Sequence, residues 1–428
     1  MNLKKVLDEV AQDLTLEKAE KTSLVRESKR FVLLLKGELK KAKVGAEVFV
    51  GGSFAKNTLV KGEFYDVDIF VRFDWRYENI SPVLESALKK VAKKNRLNLE
   101  TLHGSRDYFR VLIGKKTLFE IVPVIKIKKP REARNVTDLS YFHVNYVRKA
   151  LRRGNLSREV LLAKQFCKAQ KVYGAESYVN GFSGYALECL IINYKSFEKM
   201  LRELTKVNAG ERVIVDPAKA YKNKKDVLFE MNESKLASPI ILVDPTWKER
   251  NALAALDRET FERFQEAARK FLKNPNSAFF IVKKFDVEAF KKRAKQRNEE
   301  FLKIEIRTER QPGDIAGTKM KKFSNYLERE LGRYFEIVDR EFDYNGEHSA
   351  ELYLIVKAKK EIIKAGPPKI LEKHAKAFAR NNRGVFEKNG VLYAREKINF
   401  SAREFVRDFA KKYGKSIKSM GITSLKIL

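Results

Sequence analysis

Asp66 and Asp68 stand two residues apart in Asp66-Val67-Asp68-Ile69-Phe70-Val71, a run whose β-branched and aromatic members favour a strand. Alternate residues of a strand share a face, so both carboxylates project together while Val67, Ile69 and Val71 pack behind them. Two like charges held that close repel unless a cation lies between them, and paired oxygen donors suit hard Mg²⁺. Upstream, Gly51-Gly52-Ser53-Phe54-Ala55-Lys56-Asn57-Thr58 supplies glycines that admit close backbone approach, a hydroxyl at Ser53 and a cation at Lys56. A third acid, Glu120, lies between Phe119 and Ile121 in another β-rich run. A lone carboxylate in such a strand is costly to bury, and a shared metal would remove that cost. Asp66, Asp68 and Glu120 are therefore the expected metal ligands and catalytic acids.

These residues need elements to hold them. Residues 44–50 read as a strand broken by the glycine pair, 56–59 as a helix start or tight turn, and Asp66 opens the next strand. Residues 108–113 and 117–124, separated by Gly114-Lys115-Lys116, read as a hairpin that carries Glu120. Helical periodicity covers 3–42 and 81–95. Beyond His143, Ser157 is placed to cap a helix ending near Tyr173-Gly174, and 183–204 is apolar nearly all round, as a domain core should be. Residues 206–244 are polar and lysine-rich, 251–272 are helical, and Asn274-Pro275-Asn276 reads as a linker. After it β and α runs alternate, ending in a segment, 361–428, with 16 Lys and Arg against six Asp and Glu. The expected fold is a multidomain α+β chain with units at 1–145, 146–273 and 274–428.

Lys and Arg number 89 against 56 Asp and Glu in 428 residues, a net charge of +33. Such an excess favours a polyanionic partner, nucleic acid first and an anionic membrane surface second. The two cysteines, Cys167 and Cys189, sit in apolar helical patterns and read as free buried thiols of a reducing compartment. The four histidines lack zinc spacing, the first residues lack the apolar core of a signal peptide, and no run is long enough to span a bilayer. A cytoplasmic protein is expected.

Taken together, Gly52-Ser53 to Thr58, Asp66-x-Asp68, Glu120-Ile121-Val122-Pro123, Tyr141-Phe142-His143, Lys164 with Tyr173-Gly174-Ala175-Glu176, and Gly181-Phe182-Ser183-Gly184-Tyr185 resemble the archaeal-type, class I CCA-adding tRNA nucleotidyltransferases. The resemblance continues through Val243-Asp244-Pro245 and Arg250-Asn251, and more loosely through Gly366-Pro367-Pro368. It implies a polymerase-beta-like nucleotidyltransferase catalytic domain, a mainly helical central domain and an α+β RNA-binding C-terminal region. The implied reaction adds C, C and A to the 3′ end of tRNA from CTP and ATP, with two Mg²⁺ ions and release of pyrophosphate. Ser53, Lys56, His143, Lys164 and Tyr173 would line the nucleotide's triphosphate or ribose, and Arg250 would face the base. The implied partners are tRNA, CTP and ATP, and a homodimer is allowed. Three departures stand out: Glu120 where the family usually has Asp, Lys56 where it usually has Arg, and Arg106-Asp107-Tyr108 where it often has His-Pro-Tyr. A poly(A) polymerase or 2′-5′ oligoadenylate synthetase would share the same catalytic unit. A non-enzymatic tRNA-holding module is the third alternative.

Overall fold

Val67, Ile69, Val71 and Phe73 are buried behind a strand whose opposite face begins with the two aspartates. The computed structural model describes every residue except Met1, Ser105 and Asn155. The strands of the first sheet are β1 (Ala46–Val50), β2 (Tyr65–Phe73), β3 (Leu99–Leu102), β4 (Tyr108–Ile113) and β5 (Thr117–Ile125). They lie in the order β1-β2-β5-β4-β3. The β2–β5 pair is parallel and the others antiparallel. The expected hairpin is β4–β5, turned by Gly114 in the left-handed region. The short β3 at its outer edge was not anticipated.

The 3–42 helix is two helices. In α1 (Leu3–Asp13), Val6, Leu7, Val10 and Ala11 form one buried stripe. The break follows from side chains: the Thr15 hydroxyl donates to the Ala11 carbonyl at 2.7 Å, and Glu17 with Glu20 forms a capping box that starts α2 (Lys18–Lys41). The two helices also serve different cores. Leu24, Phe31, Leu35 and Leu39 of α2 pack under the sheet, whereas α1 packs with residues beyond 146. The first residues thus join the central core, across the expected 145/146 boundary.

The remaining head helices are α3 (Gly52–Ala55), one turn after the glycine pair, and α4 (Ile80–Asn95). The helical turn begins at Gly52, earlier than the expected 56–59, and Asn57 in the left-handed region closes it. The central core contains α5 (Ser140–Arg152), α6 (Ser157–Ala169), α7 (Gly184–Tyr194), α8 (Phe197–Leu204) and the later helix Arg258–Lys273. Lys195 in the left-handed region separates α7 from α8, where one run was expected. Ser157 is the first residue of α6, and its cap position is Leu156.

The expected linker at 274–276 is not a boundary. Asn276 caps the turn Ser277–Phe280, and Phe280 is buried against Phe166, Phe197 and Phe271. That aromatic packing holds the chain in the first compact unit through Lys283, and the second unit is Lys284–Leu428. In the second unit a four-stranded sheet runs Phe335–Tyr344, Ser349–Ala358, Glu300–Arg307, Ser424–Ile427. Helices Asp314–Leu331 and Ala402–Lys412 cover it. Residues 361–428 are folded: Ile362–Pro368, Val391–Glu396 and Val385–Lys388 make a second sheet, and the last strand returns to pair with Glu300–Arg307.

Arg106, which stands in the segment where His-Pro-Tyr was the family pattern, has a structural use. Its guanidinium donates to both oxygens of buried Asp138, at 2.5 and 3.4 Å, and to the Pro123 carbonyl at 3.2 Å. Asp138 also accepts from the backbone amides of Ile125, Arg134 and Asn135. Removing one charged partner of a buried carboxylate costs about 1.5–3 kcal/mol, so Arg106→Ala is expected to lower the urea midpoint accordingly. An unchanged midpoint would mean that the amides alone hold Asp138.

Candidate active site

The parallel pairing of β2 with β5 sets Asp68 directly beside Glu120, and the β4–β5 hairpin sets Arg110 on Glu120's other side. Paired residues in a sheet point to the same face, so Asp66, Asp68, Glu120 and Arg110 share one surface. Asp68 rests over Gly52, whose positive φ and missing side chain make room for it: a Cβ there would overlap the carboxylate. The Gly51 amide donates to the Asp68 carbonyl at 2.8 Å, fixing the turn to the strand.

Burial raises the Asp68 carboxyl to about 6; Glu120 and Asp66 push it the same way, and Lys56 opposes. Each of these charges is therefore felt at Asp68. Glu120, however, is engaged sideways. Its Oε1 accepts from Arg110 Nε at 2.8 Å and Nη2 at 2.6 Å. Among the described residues no three His, Cys, Asp or Glu side chains stand close enough to hold a metal ion. In this structure the charge opposite Glu120 is supplied by Arg110. The all-oxygen donors of Asp66 and Asp68 fit a hard divalent cation.

The central core brings its own polar groups to this face. Lys56 Nζ donates to Glu188 Oε2 at 2.6 Å, and the Thr58 hydroxyl donates to Glu188 Oε1 at 2.6 Å. Lys164 Nζ donates to Glu188 Oε1 at 2.9 Å, the Thr58 hydroxyl oxygen at 3.0 Å and the Thr58 carbonyl at 3.1 Å. Burial would raise the Glu188 carboxyl, but Lys164 and Lys56 override it and hold it at about 2. Gly184, at the start of α7, sits against the Tyr173 hydroxyl and Lys164; a Cβ there would lie 2.8 Å from that hydroxyl. Burial raises the Tyr173 phenol far above its ordinary value. Lys168, one turn beyond Lys164, is lowered by burial while Asp66 opposes. Ser53 is half-buried in the α3 turn.

A second cluster surrounds Asp244, which is fully buried. His143 Nε2 lies 3.1 Å from Oδ2, the Arg250 guanidinium donates to Oδ2 at 2.6 Å, and the Tyr185 hydroxyl donates to Oδ1 at 2.9 Å. The Thr246 amide and hydroxyl also donate to Oδ1. Burial lowers the His143 imidazole, so it is neutral near pH 7, and Asp244 is held well below the usual carboxylate range. An ionised carboxylate only accepts, so Nε2 carries the imidazole proton and Nδ1 is left as an acceptor. The His143 ring stacks on Tyr185 with centroids 3.9 Å apart.

All the expected site residues lie in the first unit. Sequence reasoning missed Arg110, Glu188, Lys168 and Tyr185 as their partners. Arg110 was accessible to register arithmetic on the hairpin, and Glu188 to its position as a lone acid between Leu187 and Cys189 in an apolar helix.

Residues 34–138 match the family described as a nucleotidyltransferase domain, and residues 158–281 match the second domain of tRNA nucleotidyltransferase. A Nanoarchaeum equitans protein named CCA-adding enzyme is 38% identical over 353 residues, covering 78% of this chain and 82% of its own. A Thermococcus kodakarensis protein of the same name is 27% identical, covering 96% and 90%. Among solved structures, the Cid1 poly(U) polymerase aligns with a TM-score of 0.52 at 13% identity, covering 65% of this chain and 98% of its own. That likeness is one of fold.

Proposed function

The chain belongs to the CCA-adding enzyme family, and on that footing we propose how its residues divide the work of building the tRNA 3′ end. The protein is a tRNA nucleotidyltransferase that adds C, C and A from CTP and ATP. Asp66 and Asp68 would hold two Mg²⁺ ions, with Glu120 as the third acid of the set. When bound, the ions supply Lewis-acid stabilisation of phosphoryl charge and a lowered pKa for the attacking 3′ hydroxyl. The observation that carries this assignment is the strand register: the parallel pairing sets Glu120 beside Asp68, with Asp66 two residues away on the same face.

The chain's own groups orient and neutralise. Lys56, with Ser53 and the backbone of its turn, would grip triphosphate oxygens. Lys164 and Tyr173 form the wall behind them, and Lys168 faces the same charge. His143 stays neutral and offers Nδ1 as an acceptor toward the ribose. Arg250 is anchored at one nitrogen by Asp244, and its remaining donors suit the base edge. C presents an acceptor at N3 and A at N1, where U and G present N–H donors, so a fixed guanidinium admits C and A and leaves U and G unpaired. The Asp244 pairing is thus the anchor of that contact.

The large positive charge would bind tRNA phosphates at the acceptor stem and elbow. Among the described residues no helix is long and apolar enough to cross a membrane. Free buried Cys167 and Cys189 support a reducing, cytoplasmic setting. The family resemblance is the support for a homodimer, which light scattering would test.

The assay for the whole proposal is to give the protein tRNA trimmed of its terminal nucleotides, Mg²⁺ and each labelled nucleotide in turn. Two CMP additions followed by one AMP and then arrest are expected. Unbounded AMP addition would make it a poly(A) polymerase, and no addition would leave a tRNA-holding module.

A further inference from the structure

Glu188 is a charge placed in the middle of a core helix, between buried Leu187 and Cys189, and it has no exposed surface. Enclosing a carboxylate costs several kcal/mol unless opposite charge and hydrogen bonds offset it. Both oxygens are used: Oε1 by Lys164 and Thr58, Oε2 by Lys56. Thr58 and Lys56 belong to the segment after the Gly-Gly-Ser turn, whereas Glu188 and Lys164 stand on α7 and α6. One side chain therefore fixes that segment to the helical core.

The two lysines differ in what remains to them. An ammonium has three N–H donors, and Lys164 spends all three on Glu188, the Thr58 hydroxyl oxygen and the Thr58 carbonyl. Among the described residues Lys56 has one protein acceptor, Glu188 Oε2, which leaves two of its donors. Both lysines thus share one carboxylate, each on its own oxygen.

We propose that Glu188 is a positioning residue for nucleotide binding that acts through Lys56, aiming its two remaining donors at the triphosphate while Lys164 serves as the buried strut. This rests on the assignment of Lys56 as a triphosphate contact. The geometry explains why a carboxylate stands where an apolar residue would fill the helix more cheaply. It also separates Lys56 and Lys164, which the family resemblance treats alike.

A double-mutant cycle tests it, with full-length Lys56→Met, Glu188→Gln and the double variant assayed for CMP addition below the melting midpoint of each. Lys56→Met is expected to raise KM for CTP by about tenfold or more, the scale of one charge-assisted contact. Glu188→Gln should raise it comparably, and the double variant no further than Lys56→Met alone. KM for tRNA should stay within about twofold in all three. Multiplying effects, or a Glu188→Gln protein that melts earlier with KM for CTP unchanged, would overturn the proposal and leave Glu188 purely structural. Should Glu188→Gln fail to fold, Glu188→Asp, which keeps the charge but shortens the reach, takes its place with the same criteria. If Lys56→Met itself leaves KM unmoved, the triphosphate assignment of Lys56 falls, and the proposal falls with it by a separate measurement.

Discussion

Asp68→Asn is expected to abolish nucleotide addition and to yield a more stable protein. The loss should reach at least about three orders of magnitude in rate, since a metal-binding carboxylate supplies several kcal/mol of transition-state stabilisation. The gain has a different origin. Burial and the neighbouring charges of Glu120 and Asp66 raise the Asp68 carboxyl to about 6, so its ionised form is held at a cost near pH 7. Replacing it by a neutral isostere should add on the order of 1–2 kcal/mol in a urea melt. tRNA affinity, spread over many phosphate contacts, should change little. Opposed changes in rate and stability are what a functional charge produces, whereas a structural ion pair would lose stability. Addition at the wild-type rate would remove Asp68 from the metal site. Glu120→Gln should be inactive as well; a wild-type rate there would assign Glu120 to Arg110 alone.

Glu188→Gln is expected to destabilise the fold by about 3–5 kcal/mol, the penalty for leaving buried charges without their partner. Acid should erase the difference. The folded-state value, about 2, lies below the ordinary 4.5, so the stabilisation is fully present above 4.5 and is lost as the pH falls toward 2. Below 4.5 the unfolded chain takes up a proton that the folded one refuses, which removes about 1.4 kcal/mol per pH unit. The stability gap between wild type and Glu188→Gln should be flat from pH 7 to 5 and shrink by pH 3. His143 is lowered too, so it disfavours folding as the pH falls below its ordinary range, but it does so in both proteins and cancels in the comparison. A gap as wide at pH 3 as at pH 7 would mean that Glu188 is not ionised in the fold.

Much of the head was legible because its signals are local. The alternation in β2, the Gly-Lys-Lys turn of the β4–β5 hairpin and the glycine pair each specify geometry within about ten residues. The acids were visible for the same reason. The break at Thr15 and Glu17 was legible in principle, through a hydroxyl and a capping box, but continuous apolar spacing masked it. What joins the site together was not readable. His143 and Asp244 lie 101 residues apart, Lys56 and Glu188 132 apart, and only tertiary packing brings them into contact. The misplaced linker has a physical cause as well: Asn-Pro-Asn is turn chemistry, but two phenylalanines follow it and dock into the core.

During synthesis, the strand Glu300–Arg307 emerges long before Ser424–Ile427, its neighbour on one side. Until residues 424–427 leave the ribosome, that edge of the nascent sheet carries unpaired amides and carbonyls, the kind of surface on which chains cross-pair and precipitate. Deleting residues 424–427 would therefore act on yield and solubility.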